Sequence, residues 1–207
     1  MAQTNYSDIF KNPLSLNNPI TVQVLGICSA LAVTVELQPA IVMAISVTVV
    51  TAFSNLIISL MRNTIPSRIR IIVQLVVVAS LVILVDQILK AFMYNLDKAL
   101  SVYIGLIITN CIVMGRLEAF ALGNKPVPAL LDGIANGAGY GIILVIVAFV
   151  RELLGSGSLF GFKVIPQALY DLGYSNCGIM LNPPMALILI GIVIWIQRSK
   201  MKELQEK

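Results

Sequence analysis

The sequence predicts an all-α integral membrane protein of six transmembrane helices, arranged as two inverted repeats of three. Three observations carry that prediction. The chain of 207 residues is 58% hydrophobic and only 12% charged, whereas roughly a quarter of the residues of a soluble globular protein are charged. Its apolar residues gather into six runs, 20–36, 38–61, 71–89, 99–115, 129–150 and 181–197, each near the length of about 20 residues that a spanning helix needs. The two halves of the chain, about 20–90 and 99–197, also carry similar marks in the same order. Nearly all of residues 1–207 is then one membrane domain, with no room for a soluble catalytic one.

The first run holds Cys28 and is short, with 16 residues between Pro19 and Glu36. It is not a signal peptide, because its one preceding basic residue, Lys11, lies eight residues before the run rather than directly against it. "LGIC" does not make a lipoprotein site either, since Ile27 stands where a small residue is wanted. The second run opens at Pro39 and ends at Arg62. The third ends with Asp86 and Lys90, four apart as an ion pair along a helix requires. The fourth holds Cys111 and is short like the first, with 17 residues between Lys98 and Arg116. Either short run covers about 25 Å of a roughly 30 Å hydrocarbon core. Arg116 and Glu118 then fall at a membrane boundary.

The fifth run carries Gly133, Gly137 and Gly141, four apart on one helix face where a second helix can approach closely. We expect that face to meet another protein chain. Asp132 and Asn136 lie one turn apart near its start, as a polar contact, a helix-start feature or a cation site. "GAGYG" lacks the Thr-Val of a potassium filter and reads as helix. Arg151 and Glu152 read as an interfacial charge pair. "GSGSLFG" at 155–161 reads as a flexible loop, because it lacks the Gly-Lys-Ser/Thr of a phosphate-binding loop. Cys177 falls in the loop before the sixth run and reads as incidental.

The repeat is marked by Cys28 and Cys111, Glu36 and Glu118, Pro39 and Pro128, and Arg62 and Arg151; each proline precedes its arginine by 23 residues. A unit of three spans crosses the membrane an odd number of times, so its second copy is inserted upside down. Short or interrupted segments at matching places in such repeats point to a site near the midplane. With the N-terminus inside, Lys11, Arg62, Arg68, Arg70, Arg116, Lys125, Arg198, Lys200, Lys202 and Lys207 lie inside, and Lys90, Lys98, Arg151 and Lys163 outside. Ten against four satisfies the positive-inside rule and predicts that both termini are cytoplasmic. The net charge of +4 therefore reflects loop placement. No basic and aromatic cluster accompanies it, so nucleic acid is not a partner.

The absence of histidine excludes imidazole ligation, His-ligated haem and Ser-His-Asp chemistry. Three cysteines without a CxxC pair exclude a zinc knuckle. Cys28 and Cys111 are either small apolar fillers or ligands. A disulfide does not form inside the bilayer. As ligands they are two where zinc or an iron–sulfur cluster wants four, so a partner would bring the rest, most simply a chain of the same plan.

"VQVLGICSALAVT", "RIIVQLVVVASLVILVDQILKA", "LSVYIGLIITNCIVMGRLEAFALG", "PVPALLDGIANGAGYG" and "RELLGSGSLFG" together resemble the D-subunit family of the sodium-pumping NADH:quinone oxidoreductases over nearly the whole chain. The E subunit of Rnf electron-transport complexes shares the cysteine segments and is the alternative. The chain departs from the family pattern at "MLNPPMALILIG". The resemblance implies a multi-pass component of a bacterial inner-membrane complex, paired with a homologous E subunit of opposite orientation. It implies an iron centre, a 2Fe-2S cluster or a single iron, shared between Cys28, Cys111 and two cysteines of that partner. It places flavins, NADH and quinone on other subunits, and couples electron transfer across the membrane to sodium export. A transporter or a scaffold without redox role is the rival of another class.

Overall fold

The computed structural model describes residues 18–66, 68–92, 105–159, 162–163 and 178–200. Its elements are α1 (Ile27–Val33), α2 (Leu37–Met61), α3 (Arg70–Phe92), α4 (Cys111–Arg116), α5 (Pro126–Gly155), a two-stranded hairpin of β1 (Ser158–Leu159) and β2 (Phe162–Lys163), a 3-10 turn at Gly178–Leu181, and α6 (Pro183–Lys200). Among the described residues, Leu37–Met61, Arg70–Ala91 and Pro126–Gly155 are long and apolar enough to cross a membrane, and Pro183–Ser199 is a shorter apolar helix.

The runs around the two cysteines depart from continuous spans. The first is helical only over α1, entered through Gly26 at φ 78°. In the fourth, a helical turn at 105–108 ends before Asn110, and a second helix starts at Cys111. That helix continues as a π-turn at Leu117–Ala121. The start of the fourth run, and Cys177, lie outside the described residues. Within and just after "GSGSLFG", Ser158 pairs with Lys163 and Leu159 with Phe162 in an antiparallel ladder.

The core is the packing of α2 on α5. Proline is the third residue of each helix, Pro39 in α2 and Pro128 in α5. Its missing N–H would have no intrahelical partner in a first turn. A Cβ on Gly133 would lie 2.7 Å from the Ala52 Cα, one on Gly137 2.6 Å from the Thr48 Cα, and one on Gly141 3.0 Å from the Ala44 Cβ. Contacts that climb one helix as they descend the other make the pair antiparallel. The glycine face is thus filled by the chain's own second span, and not by another protein chain as its spacing suggests. Asn55 and Ser59 extend the same seam with bonds to the carbonyls of Ala129 and Asn124.

Arg151 and Glu152 also turn inward and are buried within the chain. Arg151 donates all five of its N–H groups: Nε to the Met180 carbonyl, Nη1 to the Leu31 carbonyl and the Thr34 hydroxyl, and Nη2 to the carbonyls of Leu181 and Asn182. It closes the C-terminal end of α1 and ties it to the turn before α6. Glu152 accepts from the Leu37 backbone N–H at 2.6 Å, at the opening of α2. A cation at a helix C-terminus and an anion at an N-terminus both complement the helix dipole.

Two outcomes follow from this packing. Gly137→Leu drives a side chain into the Thr48 backbone and should destabilise the chain by at least about 1–3 kcal/mol. Gly191 has open space around it, so Gly191→Leu should be near neutral; thermal unfolding of the two variants in detergent makes the comparison. Arg151→Met strips partners from buried carbonyls, each worth about 1–3 kcal/mol when left unsatisfied. Arg151→Lys, with a point charge in place of the fork, should fall between Met and the unmodified chain in the same assay.

Candidate functional site

Cys28 and Cys111 are 83 positions apart in the chain, yet they line one small pocket, together with Gly26, Ser29, Leu106, Thr109 and Asn110. Both are free thiols exposed at the surface of the chain. A cysteine serving only as apolar filler belongs in the core; these two face outward. Each lies in the first turn of its short helix, Cys28 in α1 and Cys111 in α4.

The backbone makes this meeting possible. Asn110 is the N-cap of α4, and its side-chain oxygen accepts from the Ile112 N–H at 3.3 Å. It thereby satisfies one of the donors left free at a helix start. On the other side, Gly26 adopts a left-handed conformation to open α1, and a Cβ there would lie 3.0 Å from the Tyr140 ring and 3.3 Å from the Asn110 side-chain oxygen. Glycine is required at position 26 on both counts. Beneath the thiols, the Ser29 hydroxyl lies 2.7 Å from the Tyr140 hydroxyl and 2.9 Å from the Gly26 carbonyl, and it accepts from the Asn110 amide at 3.2 Å. Sequence alone assigns Ser29, Asn110 and Tyr140 no role. The one signal it offers is the residue type before Cys111: asparagine is a preferred N-cap, and it stands inside an apolar run.

The far end of the second cysteine helix is held by charge. Arg116 engages Asp132 through two hydrogen bonds, Nε to Oδ2 at 3.0 Å and Nη2 to Oδ1 at 2.5 Å, and its guanidinium stands 5.6 Å from the centre of the Phe120 ring. Asn136 donates to both the carbonyl and the Oδ1 of Asp132 at 2.9 Å. Asp132 and Asn136 therefore do form one polar cluster, but the cation against the carboxylate is Arg116. They are not at the helix start, which is Pro126. Glu118 forms an ion pair with Arg70 and accepts from Gln74 at 3.2 Å, so α3 also grips this segment. Lys90 and Asp86 pair at 2.7 Å, as the spacing predicts.

The donor set limits what the pocket can hold. Among the described residues no group of three or more Cys, Asp or Glu is placed to bind a metal. Two outward-facing thiols with no third ligand fit half of a four-thiolate iron site and do not fit a complete one.

A family model described as "Rnf-Nqr subunit, membrane protein" matches residues 6–194. A Haemophilus ducreyi protein, named as the D subunit of a Na(+)-translocating NADH-quinone reductase, is 58% identical over 208 residues, covering 100% of both chains. A Haemophilus influenzae protein of the same name is 58% identical over 99% of both chains. One from Pseudomonas aeruginosa is 55% identical over 98% of this chain and 90% of its own. Matched along most of its length by the family model and end to end by these relatives, the chain belongs to the Rnf-Nqr family of membrane-protein subunits.

Proposed function

We propose that this chain is the D subunit of a sodium-translocating NADH:quinone reductase and carries half of an intramembrane iron centre. The observation that carries the reading is the convergence of Cys28 and Cys111 on one exposed pocket. The names of the relatives favour the sodium-translocating reductase over an Rnf complex. Cys28 and Cys111 would hold the iron, with two thiolates from a homologous partner, the E subunit, completing the site. When bound, that centre supplies one-electron transfer within the hydrocarbon core. The chain's own contribution is to bring two thiols from distant segments to one point and keep them there. Flavins, NADH and quinone belong to other subunits, and electron transfer through the complex is coupled to sodium export. A transporter or scaffold reading leaves the paired, outward-facing thiols without a purpose.

An inverted two-repeat plan with a partner of opposite orientation belongs to the same proposal. Helices α2 and α5 start 89 residues apart, at Leu37 and Pro126, and 89 residues also separate Pro39 from Pro128 and Arg62 from Arg151. By that offset Ala44, Thr48 and Ala52 correspond to Gly133, Gly137 and Gly141. The close approaches are Ala44 to Gly141, Thr48 to Gly137 and Ala52 to Gly133. Each contact is the mirror of another, and Thr48 meets its own counterpart. This reciprocity is what an isologous twofold contact produces, and it supports an internal twofold axis passing between Thr48 and Gly137.

Cys28→Ala and Cys111→Ala should each abolish bound iron in the purified complex while assembly largely survives, because removing an exposed sulfur opens no core cavity. Cys177→Ala should keep iron. Iron analysis with EPR decides, and full iron in either of the first two variants overturns the assignment. The proposed inner-membrane topology has both termini cytoplasmic. A reporter fused after Lys207 should then behave as cytoplasmic and one inserted beside Lys163 as external; the reverse labelling would overturn it.

A further inference from the structure

Ser29 is a node at which three hydrogen-bonding partners meet. A serine hydroxyl has one proton to give and two lone pairs with which to accept. The Gly26 carbonyl, 2.9 Å away, is one acceptor within reach of the Ser29 proton. The Asn110 amide can only donate, so it takes one lone pair, at 3.2 Å. The Tyr140 hydroxyl lies 2.7 Å from the same oxygen and completes the node. Ser29 and Tyr140 are both buried. Three elements meet at this oxygen: α1 through Ser29, the cap of α4 through Asn110, and the long scaffold helix α5 through Tyr140. Ser29 is next in sequence to Cys28, and Asn110 is next to Cys111.

We propose that Ser29, held by Tyr140 and Asn110, is a positioning residue that sets the geometry of Cys28 relative to Cys111 and so tunes the iron centre the two thiols share. This rests on the iron-ligand reading above. The physical reason is that each cysteine helix is too short to fix its own direction. Apart from this node, the side-chain anchors described for α1 and α4 act at their C-terminal ends, through Arg151 and Arg116. The serine node ties together the N-terminal ends, where the thiols are. A residue that acts through a ligand's neighbour changes the electronic signature of a metal site without being a ligand itself.

The test uses the whole purified complex. Ser29→Ala removes the buried hydroxyl on which Tyr140 and Asn110 converge and should lower iron content. Tyr140→Phe removes a single oxygen and leaves the ring against Gly26. It should retain its partner chains and full iron, yet show altered EPR g-values and a shifted midpoint potential. The remote Gly191→Ala should change neither. Tyr140→Phe with an unaltered EPR spectrum and potential overturns the positioning role. Cys28→Ser with full iron and an unaltered spectrum overturns the ligand reading beneath it, so the two failures are told apart.

Discussion

A helix that stops inside a membrane leaves backbone N–H and C=O groups with no water to take them, and every one must be satisfied from within the protein. This chain starts and stops helices repeatedly around its cysteines: one starts after Gly26 and ends at Val33, and a helical turn ends before Asn110. The polar side chains buried in this region answer that requirement. Arg151 collects carbonyls from the end of α1 and from the turn before α6. Thr34 returns a bond to the Ala30 carbonyl at 2.6 Å. Glu152 meets the first N–H of α2, and Asn110 that of Ile112. A fully buried guanidinium would be costly if unpaired. Here its five N–H groups find five acceptors, and the helix ends and the charge solve each other's problem.

Those satisfied ends need a rigid frame to hang on, which the α2–α5 pair supplies. The absence of side chains at Gly133, Gly137 and Gly141 lets the two backbones approach to near van der Waals contact, replacing the weak drive for helix association in lipid with dispersion and close packing. The residues that reach the site leave from this frame: Tyr140 toward Ser29, Asp132 toward Arg116, Arg151 toward α1. Helix α3, by contrast, buries little of its surface within the chain. Its Ile72, Val76 and Leu84 side chains are more than half exposed, as suits a helix that meets lipid or another protein chain.

What is legible in the sequence is what depends on composition and local spacing. The long spans α2, α3 and α5 follow from unbroken apolar runs, and their ends agree with the expected ones within a few residues, except that α5 extends further at both ends. The shortness of the cysteine segments is also visible, because charge and proline bracket them. The break at Asn110 is not, because one polar residue in an apolar run can be a cap, a core amide or a lipid-facing accident. Only the arrival of Ser29 from 81 positions away in sequence makes it a cap with a partner. The inward turn of Arg151 is hidden from the sequence for the same reason. Charge count treats arginine as surface, and the carbonyls that draw it inward come from segments about 120 and 30 residues distant. The glycine stripe is recognisable as a packing face, but its spacing cannot say which helix fills it.

The two thiols carry the last step of the synthesis. A protein that needed cysteines only as filler would have no reason to spend two helix starts, a left-handed glycine, an asparagine cap and a buried serine–tyrosine pair on placing them side by side at its surface. A protein that held a complete metal site would need two more donors, and none is gathered here among the described residues. The arrangement is rational as one half of something. On the proposed inverted-repeat reading, a chain of the same plan, turned over, would present the same two short helices from the opposite side and so supply the other half. A centre assembled in this way would exist only when both chains are docked. That would make its formation a report on assembly, and would keep bare iron chemistry out of the unassembled chain.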